Sequence, residues 1–231
     1  MGSILEALSP EQQIACSTQN NILLTACPGS GKTRTLTHRL AYQVLRDPAS
    51  KKIKIAITYT NRAAEEITNR LEGMNIDQSS IWAGTIHQFC MHFIIRPYAM
   101  YSKRLCKGYR IIDDYSKKAY GREIAERLGM HLNYYDDPFQ YENVRTEYKR
   151  VLKEKKEIDF DAILLISEEL LASCAFIGSN IASVISSILV DEFQDTNELQ
   201  YSILSTIYKA NKSIILMFVG DVNQAIYSSL G

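Results

Sequence analysis

The chain has 231 residues, 46% of them hydrophobic and 23% charged, with 26 Lys+Arg balancing 26 Asp+Glu. At about 100–200 residues per domain this is one large domain or two small ones, and the composition excludes collagen, coiled coil and a disordered chain. A net charge of zero disfavours a nucleic-acid binder only if the charge is evenly spread, because phosphate contacts need clustered Lys and Arg.

It is not evenly spread. Residues 1–90 carry 9 Lys+Arg and 7 Asp+Glu (net +2), residues 91–157 carry 15 and 10 (net +5), and residues 158–231 carry 2 and 9 (net −7). The middle segment also holds nine of the 14 Tyr. No stretch approaches the ~18–20 uncharged apolar residues of a membrane span, so no membrane partner is expected. Met1–Glu6 has no charged segment ahead of an apolar run, which is not the pattern of a leader. The five cysteines are odd in number, widely spaced and lack CxxC, which reads as a reduced intracellular protein. His87, Cys90 and His92 lie close together, but zinc needs a fourth ligand, and a helix start is the better reading.

In chain order, 21–26 reads as a buried strand and 32–45 as a helix. The next pairs are strand 53–59 with helix 62–71, and strand 81–84 with a helix from about Ile86. From about Cys90 to Ile185 the strand signal disappears. Residues 117–128 and 143–155 read as charged amphipathic helices there, and 160–174 as a more apolar one. Strand 187–190, helix 198–208 and strand 213–219 follow. Strands alternating with helices predict an α/β fold with a central parallel sheet covered on both faces, interrupted by an all-helical insert. The boundaries drawn are 1–92 with 175–231 for the α/β domain and 93–174 for the insert, with edges placed to no better than about ten residues.

Ala26-Cys27-Pro28-Gly29-Ser30-Gly31-Lys32-Thr33 follows a strand and opens a helix. Glycines let backbone N–H groups turn onto phosphate oxygens, and the helix N-terminus adds partial positive charge. Lys32 is placed for the β/γ-phosphates and the Thr33 hydroxyl for Mg²⁺. The strict phosphate-loop pattern has Gly where Ala26 stands. Cys27 sits in the same loop, where the local field can lower a thiol pKa. At the other end, the apolar strand 188–190 runs into Asp191-Glu192. An Asp at the carboxyl end of such a strand can hold Mg²⁺, and the Glu beside it can deprotonate an attacking water. A kinase would instead aim its second carboxylate at a substrate hydroxyl.

Taken together, six stretches resemble the superfamily 1 DNA helicases of the UvrD/Rep type. Leu8-Ser9-Pro10-Glu11-Gln12-Gln13 resembles the Q-motif, with Gln12 at the adenine-reading position. The phosphate loop resembles the family's own, which often begins with Ala, and Arg34 matches its "GKTR". Residues 58–66 (TYTNRAAEE) resemble the "TFTNKAAxEM" segment that contacts single-stranded DNA, and 84–89 (GTIHQF) the DNA-facing "GTFHS". Residues 191–197 with Gln200 resemble "DEFQDTNxxQ", and 220–227 resemble "GDxxQSIY". The resemblance thus runs from residue 8 to 231.

The resemblance implies a RecA-like P-loop domain with ATP and Mg²⁺ as cofactors. It assigns Lys32, Glu192 and the γ-phosphate sensor Gln224 to catalysis. Gln12, Pro28, Gly29, Ser30, Gly31, Lys32, Thr33 and Arg34 are implied for the nucleotide, and Thr33 with Asp191 for Mg²⁺. Thr58, Tyr59, Thr60, Asn61, Thr85, His87 and Tyr227 are implied for DNA. The implied function is an ATP-dependent 3′→5′ helicase or translocase core, in the bacterial cytosol, acting on single-stranded or tailed duplex DNA. Two departures stand out. Ser229 replaces the family's base-stacking aromatic and Leu230 its Arg, which keeps a nucleotide-dependent DNA-binding or regulatory module as the alternative. The second RecA-like domain, which supplies arginines to the γ-phosphate, has no counterpart in these residues, so this portion alone is expected to bind ATP but barely hydrolyse it. The insert's Lys103, Arg104, Lys107, Arg110 and the run 149–156 are candidate DNA contacts. Glu147, Glu154 and Glu157 among them fit a bare ion-paired helix equally well.

Overall fold

A computed structural model describes residues 2–25, 27, 29–133 and 135–221. Gly2–Leu5 (α1) and Pro10–Ser17 (α2) precede Ile22–Thr25 (β1). Lys32–Arg46 (α3), Ile53–Thr58 (β2), Asn61–Gly73 (α4), Ile81–Thr85 (β3) and Ile86–Phe89 (α5) follow. Arg96–Tyr98 (α6), Arg110–Ile111 (β4), Asp114–Arg127 (α7), Glu142–Lys155 (α8), Glu157–Ile158 (β5) and Phe160–Ser173 (α9) come next. Ala175–Val184 (α10), Ile185–Val190 (β6), Glu198–Ala210 (α11) and Ile215–Gly220 (β7) end the described elements. The chain divides into two compact units: Met1–Phe89 with Cys174–Gly231, and Cys90–Ser173.

The first unit is built on five parallel strands in the order β1-β7-β6-β2-β3. Parallel neighbours cannot be joined by tight hairpins, so the chain returns through helices each time. The central runs are continuously apolar because both faces are covered: Ile55, Ala56, Ile57, Ile188, Leu189 and Val190 are all buried. β1 departs from the expected buried strand. It alternates in exposure, with Leu23 57% exposed, because it ends the strand order and is covered at alternate positions only. Leu36, Leu40 and Val44 of α3 pack with Ile67 and Leu71 of α4 against Ala56, Leu189, Met217 and Val219 of the sheet. Truncating one such Leu to Ala costs about 2–5 kcal/mol.

The register aligns the strand ends. Thr25 pairs with Gly220, Val190 with Phe218, Ile57 with Val190 and Thr58 with Thr85. With every strand pointing the same way, the loops after β1, β2, β3, β6 and β7 leave one edge of the sheet. That edge is where open α/β sheets bind ligands.

Three helices, α1, α2 and α10, escape the sequence reading, and α2 and α10 are the long ones. α2 carries a legible start: Ser9 caps it, Pro10 opens it, and Gln12 closes a capping box. Arg39 of α3 is fully buried and donates to the Ala15 and Asn20 carbonyls, tying α3 to the end of α2.

In the second unit, α7 and α8 enclose Ile124, Ala125, Val144, Tyr148, Val151 and Leu152. The Asp113 carboxylate caps α7 by accepting from Ser116 N, which holds its pKa below the usual carboxylate value. The expected all-helical insert needs one correction. Arg110 and Ile111 pair in parallel with Glu157 and Ile158. A two-residue ladder shows no hydrophobic period, and it is held by the buried Ile158 and an Arg110–Glu157 ion pair.

Candidate nucleotide site

Gly29 (φ +78°) and Gly31 (φ +86°) both adopt left-handed backbone, which a side chain would strain. Gly31 is the N-cap of α3, a helix whose first residues are Lys32 and Thr33. Lys32 is 8% exposed, with Nζ 3.8 Å from Glu192 Oε2. The Thr33 hydroxyl donates to Asp191 Oδ2 at 2.9 Å. β1 and β6 are not neighbours: β7 lies between them, a gap of about 9.6 Å at the usual strand spacing. The Thr33–Asp191 bond closes that gap across the end of β7.

Asp191 is 5% exposed, and burial pushes its carboxyl pKa up. The adjacent Glu192 adds to the rise, while the Thr33 hydrogen bond and Lys32 oppose it. A hydroxyl and a buried, destabilised carboxylate form an all-oxygen set that fits a hard divalent cation such as Mg²⁺. Such a cation would restore the ionised form.

Glu192 has left-handed backbone (φ +50°), which swings it out of line with β6. Gln194, which the sequence reading did not single out, holds its carboxylate. Its Nε2 donates to Glu192 Oε2 at 2.6 Å, and its Oε1 accepts from Asp221 N at 3.0 Å. Gly220 makes this approach possible, since a Cβ there would lie 2.5 Å from Gln194 Oε1.

The loop is also held from the N-terminal side. Gln12 Nε2 donates to Ser30 O at 3.1 Å, and Arg34 Nη2 donates to Ala7 O at 3.0 Å. A recess of about 410 Å³ is lined by Gly29, Gly31, Lys32, Thr33, Arg34 and Glu192. Glu66 and Arg70 of α4 line it too; Glu66 ends the 58–66 stretch read as DNA-facing, and Arg70 lies outside every motif read from the sequence. Cys27 is exposed. Pro28, Gln224 and Tyr227, like Ser229 and Leu230, lie outside the described residues.

A second recess of about 320 Å³ opens beside Asp191 and Glu192 and is lined by Thr58, Tyr59, Thr85 and His87. The resemblance to DNA-facing motifs rests on these residues. Thr58 is buried, its hydroxyl donating to Thr60 O at 2.9 Å; the Thr60 hydroxyl caps α4 by accepting from Ala63 N. Asn61 opens α4, and Tyr59 is 67% exposed. Thr85 and Gln88 cap one another reciprocally. Gly84 leaves room for Trp82 and Gln88, which a Cβ would meet at 2.6 and 2.8 Å. Glu192 lines both recesses.

Comparison with known proteins agrees with this geometry. The family model described as "AAA domain" matches residues 11–230. The chain is 28% identical to the ATP-dependent DNA helicase PcrA of Leuconostoc citreum, over 93% of this chain and 32% of that protein. It is 28% identical to DNA helicase II of Escherichia coli (strain K12), over 99% of this chain and 35% of that protein. It is 27% identical to the PcrA helicase of Staphylococcus aureus (strain Mu50), over 100% and 35%. The chain spans about a third of the length of these relatives. Among the described residues, no helix is long and apolar enough to cross a membrane. A RecA-like parallel sheet, a phosphate loop opening α3 and an acidic end to β6 all accompany that match, and the chain belongs to the AAA domain family in its UvrD/Rep-type form.

Proposed function

We propose that the chain is the ATP-binding core of a 3′→5′ DNA helicase or translocase, in which ATP hydrolysis moves single-stranded DNA. Its relatives are named ATP-dependent DNA helicases, and the site supports the same chemistry here. The N–H groups of the loop around Gly29 and Gly31 take the phosphates, and Lys32 neutralises the β/γ oxygens. Thr33 and Asp191 would hold Mg²⁺, which would supply positive charge to neutralise the phosphate oxygens. Glu192, held by Gln194, orients the attacking water and accepts its proton. Gln224 senses the γ-phosphate by resemblance. A second RecA-like domain supplies arginines to the γ-phosphate, and without it turnover is low by about 10³–10⁵-fold.

One observation carries the link to DNA: Glu192 walls both the phosphate recess and the recess of Thr58, Tyr59, Thr85 and His87. DNA seated on that second recess, on Thr60 and Asn61 at the start of α4, and on Tyr227, can therefore displace the residue that activates the water. The substrate is single-stranded DNA or a tailed duplex. The test is DNA-stimulated ATPase and unwinding of a tailed duplex by the full-length protein. Both are expected, and both are lost in Lys32→Ala. Stimulated ATPase that persists in Lys32→Ala contradicts the assignment. ATPase without unwinding turns the reading toward a regulatory DNA-binding module.

A further inference from the structure

Arg70 and Glu66 sit one helical turn apart on α4 and form an ion pair, Nη2 to Oε1 at 2.5 Å. An exposed pair of this spacing adds little to a helix. Its surroundings set it apart: the pair lines the same recess as Gly29, Lys32 and Thr33. Three cations, Lys32, Arg34 and Arg70, thus line one opening together with the carboxylates of Glu66 and Glu192. His38, buried one turn beyond Arg34, registers both guanidinium groups. Burial lowers its pKa first, the hydrogen bond with the Arg34 backbone opposes this, and the Arg34 and Arg70 charges lower it further. Arg70 shares its recess with Lys32, Thr33 and Arg34 of α3, the helix that the phosphate loop opens.

We propose that Arg70 is a phosphate-binding residue for the nucleotide, supplied in cis by α4, and that Glu66 holds it until a triphosphate arrives. This rests on the reading of the recess as an ATP site. A guanidinium matches carboxylate and phosphate oxygens with the same planar fork, so it can exchange one partner for the other without losing a charge-assisted hydrogen bond. The displaced Glu66 is half exposed and is left to water. α4 also begins at Thr60–Asn61, the proposed DNA-facing end. Nine residues at 1.5 Å each put Arg70 about 13.5 Å further along the same rigid rod.

Calorimetric titration of this chain with ATP, ADP and AMP, each with Mg²⁺, tests the proposal. Arg70→Gln is expected to weaken ATP binding about 10-fold and AMP binding by less than about 2-fold. Arg70→Lys is expected to fall between wild type and Arg70→Gln. Glu66→Gln is expected to tighten ATP binding a few-fold, because the competing carboxylate is gone. Opposite signs for the two partners distinguish a ligand contact from a helix-stabilising pair, whose loss would act the same way from either side. Changes in ATP affinity under about 2-fold, or in the same direction for both variants, overturn the proposal while leaving the ATP site standing. A folded wild-type chain that binds no ATP overturns the site reading and this proposal together.

Discussion

Apart from structural ties such as that of Arg39, the sheet unit buries polar side chains to a different end from the helical unit. In the sheet unit Lys32, Thr58, Asp191 and Asp221 are buried at or just past the carboxyl ends of strands or at the helix that follows. There they line or border recesses open to a ligand. In the helical unit Tyr148, Glu157 and Asp159 are buried, but they face one another's partners. Tyr148 donates to Asp159 Oδ2 at 3.0 Å, Lys117 Nζ lies 3.8 Å from Asp159 and 2.5 Å from Asp161, and Arg110 pairs with Glu157. Burial pushes the Tyr148 phenol well above its usual pKa, and Asp159 and the carboxylates near it add to the rise, so it stays a donor. Polar burial that opens onto a cavity marks chemistry here, and polar burial closed among helices staples them.

That contrast can be broken by experiment, starting with the largest expected effect. Glu192→Gln should lower hydrolysis by about 10²–10⁴-fold while ATP affinity holds, measured as phosphate release against calorimetric binding in the full-length protein. A parallel loss of affinity would mean that Glu192 shapes the site rather than the water. Tyr148→Phe should cost about 1–3 kcal/mol in urea unfolding, because the buried Asp159 loses one of its donors. ATP affinity should not move; if it did, the two units would not be functionally separate. Arg150→Ala should leave the salt slope of DNA binding unchanged, since Arg150 is paired with Glu147 and Glu154. A slope smaller by about 0.7–0.9 would assign it a phosphate contact instead.

The smallest effect expected is that of pH on His38. Its Nδ1 lies 2.8 Å from the Arg34 carbonyl, which can only accept, so Nδ1 carries the proton in the neutral ring. Its folded pKa lies below the ordinary 6.5, chiefly through burial. Just below that value the unfolded chain binds more protons than the folded one, so stability falls as pH drops through the window and is level above it. Melting temperatures between about pH 7.5 and about pH 5.5 should therefore fall less in His38→Gln than in wild type. Parallel curves would remove His38 from the acid response.

What the sequence reveals follows from how local each feature is. β2, β6 and β7 are legible because central strands are continuously apolar. The partial exposure of β1 depends on its place at the end of the strand order, which no local pattern records. α10 (AFIGSNIASV) carries no charge to mark a solvent face. Lys32, Thr33, Asp191 and Glu192 are legible as candidates because phosphate and cation chemistry calls for those residue types beside strand ends, and the structure brings them together. Gln194 is visible as a motif letter, but its role appears only once β6 and β7 pair and bring Gly220 beside it. Arg70 gives no signal, and Glu66 is visible only as the last letter of a stretch read as DNA-facing, since their place beside the loop is set by how α4 lies against α3.

The central claim is that Thr33 and Asp191, joined across the end of β7, form the Mg²⁺–nucleotide seat. Calorimetric titration of ATP into this chain with and without Mg²⁺, in wild type and Asp191→Asn, tests it most directly. The account predicts that Mg²⁺ tightens ATP binding about 10-fold or more in wild type and has little effect in Asp191→Asn. The same Mg²⁺ dependence in both proteins would contradict it.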